Sequence, residues 1–226
     1  MGQIYQEQGN LDKAAEYNTI ALDINLKLLG ENHPKVAIFY NNLGQIYKEQ
    51  GNLNKAAEYS TKAFDINFKL FGENHRKMAA FYNNLGQIYK EQGNLDKAVE
   101  YLHKALNINL KLLGENYPEV ATNYSNLGTI YQEQGNLDKA AEYSKKALII
   151  NLKLFGENHR EVAIYYNNLG MIYQKQDKLR KAFKHISKAL ELAYHLYGKD
   201  HPNVITICNN LQVLFLETYL TGLRKK

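Results

Sequence analysis

Apolar and polar positions alternate along this chain with the spacing of helices rather than of strands. In one stretch Val36, Tyr40, Leu43 and Tyr47 recur at three- and four-residue intervals, and polar side chains fill the positions between them. This spacing places a single apolar stripe on one face of an α-helix. A second stripe of the same kind begins at Ala56. The pattern therefore predicts an all-α protein built from pairs of amphipathic helices.

Short polar segments mark where these helices begin and end. Pro34 suits the first turn of a helix, where its missing N–H group is not needed. Gly51 and Asn52 follow the first helix, and the Asn52 side chain is well suited to cap the next one. Gly72 is suited to end that second helix, because glycine adopts a positive φ readily. His33, directly before Pro34, is expected at the junction between helices.

The pattern repeats every 42 residues without interruption. The period predicts one array over residues 1–226, with a partial unit at 1–33 and a C-terminal capping helix at 202–226. The complete units are 34–75, 76–117, 118–159 and 160–201, so that eleven helical segments are expected. The period is seen in Gly2, Gly44, Gly86, Gly128 and Gly170, in Gly30, Gly72, Gly114, Gly156 and Gly198, and in Ala14, Ala56, Ala98, Ala140 and Ala182.

These motifs resemble those of the tetratricopeptide repeat family. The Leu43-Gly44 pair, Tyr47 and Ala56 match its pattern, and the 42-residue unit closed by GENHPKVA resembles kinesin light chain-type repeats. The resemblance implies an α-solenoid, a right-handed superhelix of stacked antiparallel helix pairs. The sequence departs from its own repeat at Asp177-Lys178, which replaces Gly-Asn, at Tyr117, which replaces the junction histidine, and at Gln212, which replaces the core glycine.

Polar residues opposite the apolar stripe of each first helix form the candidate binding site. The resemblance implies that the first helix of each pair lines a concave groove, so these positions would face a ligand. We name this set the amide ladder. Its members are Asn41, Asn42, Gln45, Lys48, Asn83, Asn84, Gln87, Lys90, Ser125, Asn126, Thr129, Gln132, Asn167, Asn168, Met171, Gln174, Asn209 and Asn210.

The chemistry of the amide ladder suits an extended peptide. An Asn or Gln side chain offers two donor hydrogens and an acceptor, which match the N–H and C=O groups of an extended backbone. Lys48 and Lys90 would favour acidic segments, although Glu49 and Glu91 nearby reduce that preference. The sequence therefore predicts a non-catalytic, cytoplasmic scaffold or adaptor whose partner is a protein or peptide. A hydrated helix surface without a ligand is the simpler interpretation of the same residues.

Composition argues against several other functions. The net charge of +5 comes from charges of alternating sign, and no basic block is present, so neither nucleic acid nor a membrane surface is the expected partner. No Gly-rich phosphate loop, HExxH or CxxC motif occurs, so no enzyme activity, cofactor or metal is expected. The histidine row at His33, His75, His159 and His201 is spaced too widely for one metal ion. Cys208 is expected to be a buried thiol.

Two alternatives remain open at this point. A helical repeat protein can also bind nucleic acid, although that would need a strongly basic concave face. The chain can also be a fragment that serves as the sensor or oligomerisation domain of a larger protein. Its first unit begins halfway through a helix, which leads us to expect end-to-end self-association at that end.

Overall fold

The computed structural model describes residues 1–73 and 75–224, and in these ranges it contains eleven α-helices and no strands. Residues 225 and 226 of the predicted capping segment lie outside the described residues. The helices are α1 Gly2–Glu7, α2 Leu11–Leu29, α3 Pro34–Glu49, α4 Leu53–Phe71, α5 Arg76–Glu91, α6 Leu95–Leu113, α7 Pro118–Glu133, α8 Leu137–Phe155, α9 Arg160–Lys175, α10 Leu179–Tyr197 and α11 Pro202–Arg224. The predicted all-α repeat fold is confirmed.

The chain forms two compact units, Met1–Leu112 and Leu113–Lys226. In the first unit, helices that are adjacent in the chain pack together from α1 to α5. In the second unit the same holds from α7 to α11. Odd-numbered helices are the first helices of the predicted repeats, and even-numbered helices are the second. Sixteen-residue first helices therefore alternate with nineteen-residue second helices from α2 to α10.

The helix ends follow the predicted capping chemistry. The Asn52 side chain accepts a hydrogen bond from the backbone N–H of Lys55 at 3.2 Å, and Gly72 ends α4 with φ of 75°. His33 also acts as a cap, because its Nδ1 accepts the N–H of Lys35 at 3.2 Å. A capping histidine needs its Nδ1 lone pair for this bond. The histidine row therefore has a structural role at the starts of first helices.

Small residues on the first helices allow the helix pairs to approach closely. A Cβ atom added to Gly128 in α7 would lie 3.3 Å from the backbone oxygen of Ala140 and 2.7 Å from Oγ of Ser144, both in α8. Gly44 meets Ser60 of α4 in the same way. The repeated glycine of the first helix therefore lies against the backbone of the second helix. This close packing leaves the opposite face of each first helix available to solvent.

Candidate functional site

All eighteen members of the amide ladder are exposed or half-buried, as a binding surface requires. Eight of them, on α3 and α5, belong to the first compact unit, and ten, on α7, α9 and α11, belong to the second. Ile38 at 58% and Ile164 at 41% exposure lie one helical turn before the asparagine pairs of α3 and α9. The surface thus combines amides with isolated apolar side chains.

Amides on successive first helices hydrogen bond to one another. Nδ2 of Asn84 in α5 donates to Oδ1 of Asn41 in α3 at 3.5 Å. In the second unit, Nδ2 of Asn210 in α11 donates to Oδ1 of Asn167 in α9 at 3.1 Å. Each bond uses one of two donor hydrogens and one of the acceptor lone pairs, so these amides keep capacity for further bonds. The bonds also fix the orientation of the amide groups along the surface.

Several ladder members make contacts within the protein that reduce their availability to a ligand. Nδ2 of Asn42 donates to Oδ1 of Asn18, a buried residue of α2, at 3.3 Å. Met171 packs against the apolar core of the second unit, and Thr129 donates to the carbonyl oxygen of Ser125 in its own helix at 3.1 Å. A helical wheel treats each helix in isolation, so it could not identify which edge of the polar arc meets a neighbouring helix.

The charges of the ladder are largely paired. Nζ of Lys48 lies 3.0 Å from Oε1 of Glu91, one repeat further along the chain. In the second unit, Gln174 takes the place of the lysine. Its Nε2 donates a hydrogen bond to Oε2 of Glu217 at 2.6 Å. Both contacts join residues 43 positions apart on successive first helices. Glu91, one of the carboxylates that were expected to weaken a preference for acidic ligands, is therefore in direct contact with the ladder.

A second row of side-chain bonds, which the sequence reading missed, links the turns of successive repeats. Nε2 of Gln50 donates to Oδ1 of Asp12 at 2.8 Å, and Nε2 of Gln176 donates to Oδ1 of Asp138 at 2.8 Å. Each pair spans 38 residues, from the end of one first helix to the start of the preceding second helix. In the sequence, these bonds are indicated only by the recurrence of Gln-Gly-Asn-Leu followed by a polar residue. This row fixes the register of neighbouring repeats.

The second helices carry a different, structural surface. Nζ of Lys62 lies 2.6 Å from Oε1 of Glu58 and 5.3 Å from the centre of the Tyr59 ring. The hydrogen bond that Lys62 donates to the Glu58 carboxylate raises the pKa of Lys62, so the lysine stays charged. Glu100–Lys104 and Glu142–Lys146 repeat the arrangement at 2.7 Å. In all three pairs the acid lies four residues before the lysine, which is the favourable order on a helix.

The described residues give no support for a metal site or a membrane span. Within residues 1–73 and 75–224, no three His, Cys, Asp or Glu side chains are grouped so that they could hold a metal ion. No helix in the same part of the chain is long and apolar enough to cross a membrane.

The architecture defines the class of protein. Antiparallel pairs of helices with a 42-residue period, packed through a glycine on the first helix, are those of an α-helical repeat protein. A sequence profile of the tetratricopeptide repeat matches residues 1–67, 77–153, 124–194 and 161–218, so the chain belongs to the tetratricopeptide repeat family. No curated protein matches the sequence.

Solved structures with the same fold include kinesin light chain-type repeats. BtubC (BKLC) from P. vanneervenii is 27% identical, with a TM-score of 0.79 over 89% of this chain and 80% of that chain. The kinesin light chain protein with nearly identical TPR-like repeats from Podosopora anserina is 22% identical, with a TM-score of 0.78 over 87% and 93%. The apo form of RapI is 18% identical, with a TM-score of 0.75 over 94% of this chain and 56% of that chain. The predicted resemblance is confirmed.

Proposed function

We propose that this chain is a non-catalytic protein–protein interaction scaffold whose amide ladder binds an extended peptide segment of a partner protein. The observation that carries the proposal is the row of amides oriented by Asn41–Asn84 and Asn167–Asn210 hydrogen bonds. Each amide keeps at least one donor hydrogen for a ligand backbone. Oriented donors and acceptors bind an extended chain with less loss of side-chain entropy than free ones.

Exposed positions next to the bonded pairs supply further contacts. Gln45 and Asn168 are exposed on the same helices as the asparagine pairs. Ile38 and Ile164 offer apolar contact to alternate side chains of a peptide, which would add sequence preference to backbone binding. Since Lys48 is paired with Glu91, the proposed preference for acidic segments is small.

Binding of the full chain to a library of synthetic peptides of random sequence tests this function. The ladder variant Gln45→Ala/Gln87→Ala/Asn168→Ala removes three amides without breaking a hydrogen bond described above. We expect it to lose the peptides that the wild-type chain selects. The control variant Thr61→Ala/Asn107→Ala/Lys145→Ala changes three exposed polar residues of second helices and is expected to keep them.

Two outcomes would contradict the proposal. Equal loss of peptides by both variants would show that binding does not depend on the ladder in particular, and retention by the ladder variant would exclude the three amides as ligands. Salt dependence distinguishes the nucleic-acid alternative, because phosphate binding weakens steeply with added salt while an amide-mediated complex changes little.

A further inference from the structure

The last helix presents an apolar face that the rest of the second unit leaves uncovered. On α11, Ile205, Cys208, Gln212, Phe215 and Tyr219 are separated by three, four, three and four residues. We name these five residues the α11 seam. Ile205, Phe215 and Tyr219 are 50%, 64% and 60% exposed, and Cys208 is half-buried. The expectation that Cys208 is a buried thiol is therefore wrong.

Two apolar depressions flank the α11 seam. One of about 450 Å³ is lined by Phe183, Cys208, Leu211, Gln212, Phe215 and Leu216. The other, of about 660 Å³, lies towards the start of α11, and Leu190, Tyr194 and Ile205 are among the residues that line it. Cys208 and Leu211 border both depressions, so the two form one continuous apolar surface on α10 and α11.

Gln212 prevents another helix from packing on this face as closely as the two helices of a repeat pack on each other. At the equivalent position of α9, a Cβ on Gly170 would lie 3.1 Å from the backbone nitrogen of Ile186 and 3.3 Å from the backbone oxygen of Ala182. That spacing between α9 and α10 leaves no room for a glutamine side chain. A helix that packs on α11 must therefore lie further away, with side chains filling the space between the axes.

The spacing of the α11 seam fits such a wider pairing. Alternating steps of three and four residues are the pattern by which two helices interlock side chains in a coiled coil. A single polar residue in such a seam sets the register, and two Gln212 amides can hydrogen bond to each other across a pair. The face also presents both a protruding ring, Phe215, and a depression beside it, as a two-fold contact between identical surfaces requires.

The near absence of charge on α11 favours a second copy of this chain as the partner. Between Pro202 and Leu220 the only charged residue is Glu217, and Oε2 of Glu217 accepts a hydrogen bond from Gln174 at 2.6 Å. At the edge towards α10, Glu191 and Lys199 line the larger depression, and Oε1 of Glu191 lies 3.3 Å from Nζ of Lys188. Two α11 seams can therefore meet without like charges in opposition. We propose that α11, with the adjoining part of α10, is a self-association surface on which two copies of the chain pair through their α11 seams.

Sedimentation velocity of the full chain over a wide range of protein concentration tests the pairing. The wild-type chain is expected to convert from monomer to dimer as concentration rises. Phe215→Glu places a charge in the seam and is expected to weaken the dimer at least about 30-fold, as loss of an interface hot spot does. Since Phe215 is exposed in the monomer, the helical content of the variant should equal that of the wild type.

Ile24→Glu supplies the matched control. Ile24 lies on α2 and is 51% exposed, near the end of the chain where the sequence led us to expect self-association. Its replacement should leave the dimerisation constant unchanged. The thiol of Cys208, which is the only cysteine, gives an independent readout, because pairing should slow its reaction with a maleimide as protein concentration rises.

Three results would overturn the proposal. A wild-type chain that stays monomeric at every concentration would exclude the surface as a site of self-pairing. A dimer that survives Phe215→Glu would lie elsewhere, and a dimer lost in Ile24→Glu would be assigned to the other end of the chain.

Discussion

Lys48 and Glu91 join the ends of two successive first helices through an ion pair of 3.0 Å. The side chains are 33% and 40% exposed, so water screens the pair and its contribution to stability is small. Its larger effect is on the binding surface, because it neutralises a cation of the amide ladder. The pair therefore connects the packing of repeats with the charge that a ligand would meet.

Replacement of Glu91 by glutamine is expected to increase the preference of the ladder for acidic peptides. The substitution should lower the free energy of unfolding by less than about 1 kcal/mol, because half-exposed ion pairs contribute little. It also frees the positive charge of Lys48 for an acidic side chain of the ligand. Denaturant titration measures the first effect. Comparison of acidic and uncharged versions of one selected peptide, at low and high salt, measures the second.

Glu142→Gln is the matched control for this experiment. It removes a carboxylate from the Glu142–Lys146 pair of α8, which is separate from the ladder. Its acid preference should equal that of the wild type. If Glu91→Gln also leaves the preference unchanged, Lys48 does not contact the ligand.

Gly128→Ala is expected to destabilise the protein in spite of the higher helix propensity of alanine. The added methyl group would lie 3.3 Å from the backbone oxygen of Ala140 and 2.7 Å from Oγ of Ser144. Overpacking of roughly 1–3 kcal/mol outweighs a propensity gain of about 1 kcal/mol. Thermal or denaturant unfolding followed by circular dichroism measures the net loss.

A second substitution separates the two contacts of Gly128. Ser144→Ala removes the hydroxyl but leaves the backbone of α8 in place, so the double variant should recover only part of the lost stability. A Gly128→Ala variant at least as stable as the wild type would show that α7 and α8 are not packed as closely as described.

The helices and their caps were predictable because the signals are local. The spacing of Val36, Tyr40 and Leu43 identifies one helix face, and Asn52 bonds to a backbone group only three residues away. Such relationships depend on the geometry of a single helix or turn, which the sequence pattern reports directly.

The contacts between repeats were not predictable from the same pattern. Lys48–Glu91 spans 43 residues, and Gln50–Asp12 spans 38. These distances depend on how far neighbouring helix pairs are shifted along each other, which periodicity does not determine. The prediction for Cys208 failed for a related reason, since an apolar face is buried only where another element covers it.

Lys178→Asn is expected to stabilise the start of α10. Lys178 occupies the N-cap position but makes no capping hydrogen bond, whereas Asn136 caps α8 through the N–H of Lys139 at 3.2 Å. Restoring the asparagine should raise the free energy of unfolding by roughly 0.5–1.5 kcal/mol, the usual effect of a cap. The loss of the exposed contact between Lys178 and Asp138, at 3.7 Å, offsets little of this.

Lys178→Ala provides the control, because it removes the same side chain without adding a cap. It should be no more stable than the wild type. Equal stabilisation by alanine and asparagine would mean that the lysine itself is unfavourable and that the cap has no part in the effect.

His185 should make the stability of the second unit depend on pH. It replaces the tyrosine found at Tyr59, Tyr101 and Tyr143 in the sister repeats, and its ring lies 5.0 Å from that of Tyr173. Its Nδ1–H donates to the carbonyl oxygen of Lys181 at 2.8 Å. Burial, followed by the nearby positive charges of Lys184 and Lys181, holds the pKa of His185 below its ordinary value of 6.5, although the Lys181 carbonyl opposes the shift.

A lowered pKa in the folded state means that the unfolded chain binds the proton more readily. The free energy of unfolding should therefore fall as the pH drops from about 6.5 to below the folded-state pKa of His185. This group contributes a slope of at most roughly 1.4 kcal/mol per pH unit. His185→Tyr restores the repeat residue and should remove this part of the pH dependence. Denaturant titrations of both proteins between neutral and mildly acidic pH measure the difference, in which the contributions of the other histidines cancel. Parallel curves for the two proteins would show that His185 titrates alike in the folded and unfolded chains.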